Sequence, residues 1–358
     1  MVARQPLDDT HRLGAAVYPV GVVDLNESWR LGPYTVPNRV VLAPLAGIGN
    51  WCVRLQARRH GAGLVVSEMV SSHAIHYGNE KTLVELLRIR AEERVVTGSD
   101  LPGPIAIQLF GQDPDVMRSA AATAAEAGAD IIDLNMGCPV PKVCKTGAGA
   151  ALLKDPDTAV AVARAAAEGS GLPVTVKLRS GSRKGDVEGV NLARRLAEEA
   201  GVAAISFHPR SAQVQHKGVP DYALAAEVVQ ALDVPVILTG GMDDAAGIRT
   251  VMEDTGAAAV MLARGGLGNP WLFQELLGTR DAPPSRDEIL DELDWMIDAL
   301  AEHLGPDRAG RYLRKVYPWY LTTLDVGKET HAALQRTDTI EQARELLGAL
   351  RVPVPSAA

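Results

Sequence analysis

Eight short apolar runs recur between residues 39 and 264, and most contain several β-branched side chains in succession. Continuous rather than alternating apolar character is typical of strands that are buried on both faces. Ala- and Glu-rich helical segments, such as 117–127 and 190–200, separate most of the runs. Strands that alternate with helices in this way predict an α/β fold, a (β/α)8 TIM barrel over residues 32–280. The eight runs are 39–44, 63–68, 104–110, 129–135, 173–179, 203–208, 235–240 and 258–264.

An open, doubly wound sheet is the alternative arrangement of strands and helices. That fold usually has fewer strands and carries a G-x-G-x-x-G sequence after the first. Here the first run continues as Ala43-Pro44-Leu45-Ala46-Gly47, which does not match, and the Gly-Ala-Gly at 147–149 lacks the third glycine. The sequence therefore favours the barrel.

Both ends of the chain differ from this pattern. Residues 1–31 show no clear period and are predicted to be a poorly ordered extension, while 31–39 predicts a hairpin below the barrel. Residues 281–285 have the composition of a linker, and Ser285 with Glu288 forms a capping box that opens a helix. A second helix is expected over 307–324, kinked at Pro318, and two shorter ones follow. We therefore predict a small helical domain over residues 285–352.

Composition limits the class of protein. The 358 residues are 47% hydrophobic, and the net charge of -8 argues against a surface that attracts nucleic acid everywhere, although not against a local basic patch. Three scattered cysteines do not form a disulfide framework, and Cys138 and Cys144 lack the spacing of a zinc-ligand pair. No signal peptide or membrane-spanning run is evident. We expect a monomeric, cytoplasmic protein with no metal and no membrane association.

One cysteine lies where barrel enzymes carry their chemistry. Cys138 follows the fourth run, and Pro139 and Pro141 stiffen the loop around it. A stiff loop is suited to aiming a proton donor or a nucleophile. Taken alone, the residue is equally well explained as a small buried hydrophobe.

Polar residues end several of the predicted strands and are expected to converge on one mouth. The loops at 239–241 and 263–268 are rich in glycine, and loops after the seventh and eighth strands of barrels commonly bind phosphate. Tight turns explain the glycines equally well, but Arg264 favours phosphate. Together with the thiol, this predicts a flavin mononucleotide (FMN) barrel that performs hydride chemistry. The strand-end residues are Gln108, Asn135, Lys177, His208 and Arg264.

Residues 134–156, LNMGCPVPKVCKTGAGAALLKDP, resemble the signature of the tRNA-dihydrouridine synthases. The similarity extends over residues 40–350. It includes VVLAPLAGI (40–48), GAGLVVSEMVSS (61–72), PIAIQLFG (104–111), VKLRSG (176–181), FHPRS (207–211), LARGGLGNPWLF (262–273) and RYLRKVYPWYL (311–321).

The resemblance implies that FMN, reduced by NADPH, gives hydride to C6 of a tRNA uracil while Cys138 protonates C5. The C-terminal helices would then bind tRNA. The implied substrate contacts are Asn135, Arg210, Arg311, Arg314 and Lys315. The implied cofactor contacts are Pro44, Leu45, Ala46, Gln108, Asn135, Lys177, His208, Thr239, Gly240, Gly241, Ala263 and Arg264.

Charge along the C-terminal region agrees with a phosphate-facing surface. Arg308, Arg311, Arg314 and Lys315 have helical spacing and are expected to share one face, whereas the preceding helix carries most of the acid. Two rival functions stay open: a dihydroorotate-type dehydrogenase of a free pyrimidine, and a non-catalytic RNA-binding barrel.

Overall fold

The computed structural model describes residues 23–351. The first element is the predicted hairpin, formed by β1 (Trp29–Leu31) and β2 (Tyr34–Val36). Its buried side chains pack on the barrel interior together with Ile131, Ala204 and Ala259, the first residues of three barrel strands. The hairpin therefore covers the bottom of the barrel, as predicted.

The predicted extension over residues 1–31 needs correction at its boundary. Residues 1–22 lie outside the described part of the chain. Leu25 is buried and its carbonyl accepts a hydrogen bond from the N–H of Arg39 (2.8 Å), while Trp29 Nε1 donates to the carbonyl of Asn38 (3.0 Å). Residues 23–31 thus belong to the folded unit, because their few apolar side chains pack although they show no period.

The eight predicted runs each contain a strand, and one additional short strand follows the second run. The strands are β3 (Val40–Leu42), β4 (Leu64–Val66), β5 (Val70–Ser71), β6 (Ile105–Phe110), β7 (Ile131–Met136), β8 (Val174–Arg179), β9 (Ala204–His208), β10 (Val236–Thr239) and β11 (Ala259–Leu262). The additional strand, β5, pairs with β6.

These strands are parallel and form a closed ring. From β6 to β10, each strand pairs with the next one along the chain. The ring then closes because β11 pairs with β3, β3 with β4, and β4 with β6. The (β/α)8 barrel is therefore confirmed. In parallel barrels the carboxyl ends of all strands meet at one mouth, where function is located.

Helices connect the strands and surround the ring. They are α1 (Trp51–Arg59), α2 (Ser72–His76), α3 (Pro114–Glu126), α4 (Pro141–Cys144), α5 (Pro156–Ser170), α6 (Glu188–Ala200), α7 (Tyr222–Ala231), α8 (Ala245–Thr255) and α9 (Trp271–Leu276). A π-helical turn spans Thr82–Leu86, and 3-10 turns span Ala91–Arg94, Gly149–Lys154 and Arg264–Gly266.

The C-terminal region is helical. Its elements are α10 (Arg286–Leu304), α11 (Pro306–Tyr312), a 3-10 turn (Leu313–Lys315), α12 (Tyr317–Thr323), α13 (Lys328–Leu334) and α14 (Ile340–Arg351). The capping box of Ser285 and Glu288 is present. Among residues 23–351, no helix has the length and apolar character needed to cross a bilayer.

One predicted helix is divided in two. The expected helix over 307–324 is interrupted at 313–316, upstream of Pro318, which lies in the first turn of α12. Proline has no N–H, so the carbonyl of Arg314, four residues earlier, has no helical donor. Gln335 Nε2 donates to that carbonyl instead (2.6 Å). This side chain, which follows α13, therefore stabilises the break.

The helical region shares a hydrophobic core with the barrel. Residues of α10, α12 and α14 belong to the same apolar cluster as the barrel strands and α1. At this junction, buried Gln56 of α1 donates to Glu292 of α10 (2.9 Å) and to the hydroxyl of Tyr320 in α12 (2.5 Å). The helices are thus packed firmly against the barrel.

Candidate active site

A cavity of about 500 Å³ opens at the carboxyl ends of the strands. Its size is within the usual range for ligand sites. Fourteen of the seventeen candidate catalytic, cofactor and substrate contacts line it, and Arg311, Arg314 and Lys315 from the C-terminal region do not. The fourteen are Pro44, Leu45, Ala46, Gln108, Asn135, Cys138, Lys177, His208, Arg210, Thr239, Gly240, Gly241, Ala263 and Arg264.

The loop that carries Cys138 is held from both sides. Asn135 Oδ1 accepts hydrogen bonds from the N–H groups of Gly137 (3.2 Å) and Cys138 (2.9 Å). The carbonyl of Cys138 accepts from the N–H of Ala150 (3.0 Å) and from the thiol of Cys144 (3.3 Å). Cys138 itself is half-buried and lines the cavity, so the alternative of a small buried hydrophobe does not describe it.

A network of buried polar side chains lies beneath this loop. Gln108 Nε2 donates to Asp133 (2.6 Å), and Gln108 Oε1 accepts from Asn135 Nδ2 (2.9 Å). Thr175 Oγ1 also donates to Asp133 (2.6 Å). Burial raises the pKa of Asp133 to about 6, so its carboxylate stays mostly ionised at neutral pH.

Lys177 presents an ammonium group to the cavity. It is half-buried on β8, directly across the strand pair from Asn135. Within the described chain its Nζ has no hydrogen-bond partner and no carboxylate within 4 Å. Burial, together with the positive charge of Arg179, lowers the pKa of Lys177 to about 8. The site therefore holds an unpaired donor that is suited to an electron-rich ligand atom.

The loops after β10 and β11 form the glycine-rich end of the cavity. Gly240 has a φ of +101°, and a Cβ there would lie 2.4 Å from ring atoms of His208. Gly241 has a φ of +78°. Thr239 is buried and its Oγ1 donates to the carbonyl of Met261 (3.0 Å), so its hydroxyl is engaged within the barrel. Arg264 is exposed, with no carboxylate within 4 Å in residues 23–351.

His208 is a neutral imidazole in this environment. It is buried, and Arg210 Nη1 lies 3.3 Å from its Nε2. Burial, with the nearby cations Lys177 and Arg179, lowers the pKa of His208 far below its usual range. The ring therefore presents a neutral hydrogen-bonding group, and not a charge, to the cavity.

Three residues that the sequence analysis does not single out, Asp133, Arg179 and Trp319, help to shape the site. Asp133 and Arg179 lie two residues from Asn135 and Lys177 on the same strands, so the alternation of strand side chains places them on the same face. Arg179 is buried, and it donates to the carbonyls of Gly137 (2.9 Å) and Gln215 (2.8 Å). Trp319 of α12 lines the cavity from the helical region, which no local pattern indicates.

The basic face expected on the C-terminal helices is only partly present. Arg308 forms a bidentate ion pair with Glu85 (2.8 and 3.0 Å), and Arg314 bonds to the Asp338 carboxylate and to the carbonyl of Thr337 (2.9 Å). Two of the four cations expected on this face are therefore paired with carboxylates, which leaves the other two for a phosphate-facing surface. Both carboxylate partners come from outside the basic segment itself.

Two cations of that segment stay open to solvent. Arg311 and Lys315 are exposed and have no carboxylate within 4 Å in the described region. Lys315 Nζ lies 3.5 Å from the carbonyl of Gly47 and 4.6 Å from the ring centroid of Tyr312. Because Gly47 belongs to the loop after β3, Lys315 lies near the barrel mouth.

The acidic helix α10 is largely neutralised. Arg344 pairs with Asp298, Arg351 with Asp291 and Asp294 (each 2.8 Å), and Arg280 with Glu288 (2.9 Å). The acid of this helix is thus engaged in holding α14 and the linker. No group of three or more His, Cys, Asp or Glu side chains within residues 23–351 has the proximity needed to bind a metal.

Comparisons with known proteins agree with this site. A family model described as "Dihydrouridine synthase (Dus)" matches residues 41–353. The tRNA-dihydrouridine synthase B of Pseudomonas aeruginosa is 37% identical over 313 residues, covering 86% of this chain and 91% of that protein. The corresponding protein of Xanthomonas campestris pv. campestris is 34% identical over 335 residues, covering 91% and 98%.

Solved structures share the fold at low identity. A morphinone reductase variant in complex with tetrahydroNAD is 18% identical with a TM-score of 0.51, covering 75% of this chain and 94% of its own. The histamine dehydrogenase from Rhizobium sp. 4-9 is 13% identical with a TM-score of 0.55, covering 76% and 51%. These similarities establish the barrel fold only.

Proposed function

The chain belongs to the dihydrouridine synthase family, and we propose that it reduces a uridine of tRNA to 5,6-dihydrouridine with FMN as cofactor and NADPH as reductant. The observation that carries this proposal is the position of Cys138. Its half-buried thiol lies in the same cavity as an unpaired lysine and a glycine-rich, arginine-bearing end.

The cavity fits FMN. At the glycine-rich end, Gly240 and Gly241 line the cavity with backbone alone, and Arg264 offers an unpaired guanidinium to a phosphate. The backbone at Pro44, Leu45, Ala46, Thr239 and Ala263 would line the cofactor, and the side chains of Gln108, Asn135, Lys177 and His208 would contact its polar edge. When bound and reduced by NADPH, FMN supplies hydride to C6 of the uracil ring.

The protein's own part in the reaction is proton delivery. Reduction of the C5=C6 bond requires a proton at C5, and the Cys138 thiol is the donor we assign to that step. The S–H bond breaks as the C5–H bond forms, and the resulting thiolate recovers a proton from solvent. Asn135 holds the Cys138 backbone and also faces the cavity, where it would contact the uracil.

Substrate RNA would approach across the mouth. We assign phosphate contacts to Arg311 and Lys315, which are exposed, and to Arg210 at the cavity wall. Arg314 is assigned to structure instead, because its guanidinium is engaged with residues 337 and 338. The uridine must leave the base stack to reach the thiol.

A flavin reoxidation assay tests this function. The FMN-loaded protein is reduced with NADPH without oxygen, and an unmodified tRNA transcript is then added. We expect the flavin absorbance to return with the transcript and not with free uracil or orotate. Reoxidation by orotate alone would indicate the free-pyrimidine dehydrogenase, and a protein that takes up no flavin would indicate an RNA-binding barrel.

A further inference from the structure

Asp133 is a buried carboxylate beneath the active site. It is 1% exposed and does not line the cavity, so it is not a contact of cofactor or substrate. Its two oxygens accept one hydrogen bond each, from Gln108 Nε2 and Thr175 Oγ1, both at 2.6 Å. Burying a carboxylate is costly even when it is bonded, so this residue needs an explanation beyond packing.

An ionised carboxylate only accepts hydrogen bonds, and this property sets the direction of the whole network. The amide of Gln108 must turn its NH2 group toward Asp133, which points its carbonyl at Asn135. Asn135 must then donate to Gln108 (2.9 Å), which leaves its own carbonyl for the N–H groups of Gly137 and Cys138. Each amide has one orientation, fixed from below.

We propose that Asp133 is a positioning residue for Cys138: through Gln108 and Asn135 it fixes the backbone that carries the thiol and the donor and acceptor pattern that both amides show to the cavity. The chemical task of the thiol rests on the proposed function. The structural part, that Asp133 orders the loop at 137–138, stands independently of it.

A carboxylate at residue 133 fixes the orientation of the Gln108 amide, whereas a neutral amide at this position does not. An asparagine at 133 presents either an oxygen or an NH2 group to Gln108, so Gln108 is no longer restricted to one orientation. Reversal of Gln108 turns its NH2 group toward Asn135 Nδ2, and Asn135 then has to reverse as well. That reversal removes the acceptor from the N–H of Cys138 and frees the loop.

The test compares Asp133→Asn with Thr175→Val as the matched control. Both variants remove or weaken one hydrogen bond at the same carboxylate, but only the first changes the arm that leads to Cys138. Peptide-resolved hydrogen exchange is measured across residues 134–140, together with kcat and KM for the transcript. In Asp133→Asn we expect faster exchange at 137–138 and a kcat lower by about 10- to 100-fold, with KM changed less than about twofold.

Thr175→Val is expected to exchange at 137–138 as the wild type does. If Asp133→Asn fails to fold, as judged by its melting transition, Gln108→Leu replaces it, since it interrupts the same arm and leaves the Thr175 contact in place. Wild-type exchange in a folded Asp133→Asn protein would overturn the proposal. So would equal effects of Asp133→Asn and Thr175→Val, because these would assign Asp133 to general core stability.

The exchange readout needs no substrate. If the wild type fails to reduce tRNA, the proposed function fails, but faster exchange in Asp133→Asn still supports the positioning of Cys138. If the wild type is active and hydrogen exchange in Asp133→Asn equals that of the wild type, the proposed function is supported and the positioning role of Asp133 is rejected.

Discussion

At the scale of single residues, the cavity contains two reactive groups held in different ways. The Cys138 thiol is fixed through its backbone, by Asn135 on one side and Ala150 on the other. Lys177 is instead left without a partner and is held by burial of its stem against the barrel. The first arrangement sets the position of a proton donor, and the second preserves a charge for a ligand.

Replacing the thiol tests the proton donor. In Cys138→Ala we expect FMN content to stay normal and turnover to fall about 10²- to 10⁴-fold, the usual contribution of a general acid. Cys144→Ala, which removes a thiol from the same loop, serves as the control and is expected to stay active. Flavin absorbance and single-turnover rates measure both effects. Normal turnover in Cys138→Ala would exclude the thiol from the reaction.

The unpaired lysine is expected to cost stability in the flavin-free protein. Its folded pKa of about 8 lies below the usual 10.5, so its stabilising contribution is complete above pH 10.5 and is lost as pH falls through 8. At pH 7 the folded state carries a disfavoured charge. We therefore expect Lys177→Met to raise the Tm at pH 7 by about 1–4 °C and to raise it less at pH 10.

Scanning calorimetry of the flavin-free proteins at both pH values measures this difference. An unchanged or lower Tm of Lys177→Met at pH 7 would show that the ammonium is well solvated, contrary to the account. The FMN content of the same variant is expected to fall, because removal of the cation weakens flavin binding.

At the scale of elements, the loops after β10 and β11 together form the glycine-rich end of the cavity, to which we assign the phosphate. Glycine is required at residue 240 because its φ is +101° and the His208 ring occupies the space of a side chain. Gly241 is similarly enclosed, with Tyr222 Oη 2.6 Å from a Cβ position. At this end of the cavity, glycine backbone packed closely against His208 and Tyr222 therefore lies beside the unpaired guanidinium of Arg264.

Removing the guanidinium tests the phosphate end. Arg264→Ala is expected to lower FMN affinity about 10-fold or more, because charge-assisted hydrogen bonds contribute about 1.5–3 kcal/mol. Arg30→Ala, in the hairpin at the opposite end of the barrel, is the charge-matched control and is expected to bind FMN normally. Flavin titration followed by fluorescence measures both. Equal affinity of Arg264→Ala and wild type would move the phosphate elsewhere.

The elements also show what the sequence does and does not predict. The eight strands were found because strands buried on both faces are continuously apolar, and the carboxyl-end residues converge because parallel strands end at one mouth. The helix break lies at residues 313–316 and not at Pro318 as predicted. It is stabilised by Gln335, which lies beyond the next two helices and is therefore not part of the local pattern. The ion pairs of Arg308 and Arg314 were missed because Glu85 and Asp338 lie outside the local charge pattern.

At the scale of the whole molecule, the helical region extends the barrel mouth instead of forming a separate body. Tyr312 Oη donates to the carbonyl of Gly47 (2.8 Å), and Thr323 Oγ1 donates to that of Gly268 (2.9 Å). These hydrogen bonds join the helices to the loops after the first and last strands of the ring. Trp319 then completes the cavity wall. The exposed Lys315, in the turn after α11, thus lies next to the site.

Salt dependence of tRNA binding tests this arrangement. Removing one phosphate contact reduces the slope of log K against log salt by about 1, so Arg311→Ala is expected to weaken binding and reduce the slope by that amount. Arg314→Ala is expected to lower the Tm while leaving the slope unchanged, since its charge is paired internally. A reduced slope in Arg314→Ala and none in Arg311→Ala would reverse the assignment.

Nucleoside mass spectrometry detects the proposed product, dihydrouridine, in the RNA itself. An unmodified tRNA transcript is incubated with the FMN-loaded protein and NADPH, then digested and analysed, with Cys138→Ala in parallel. The account requires that one or more uridines gain two hydrogens with the wild type, and at a much lower rate with Cys138→Ala. A flavin-loaded wild-type protein that leaves every uridine unchanged in the transcript and in bulk tRNA would contradict it.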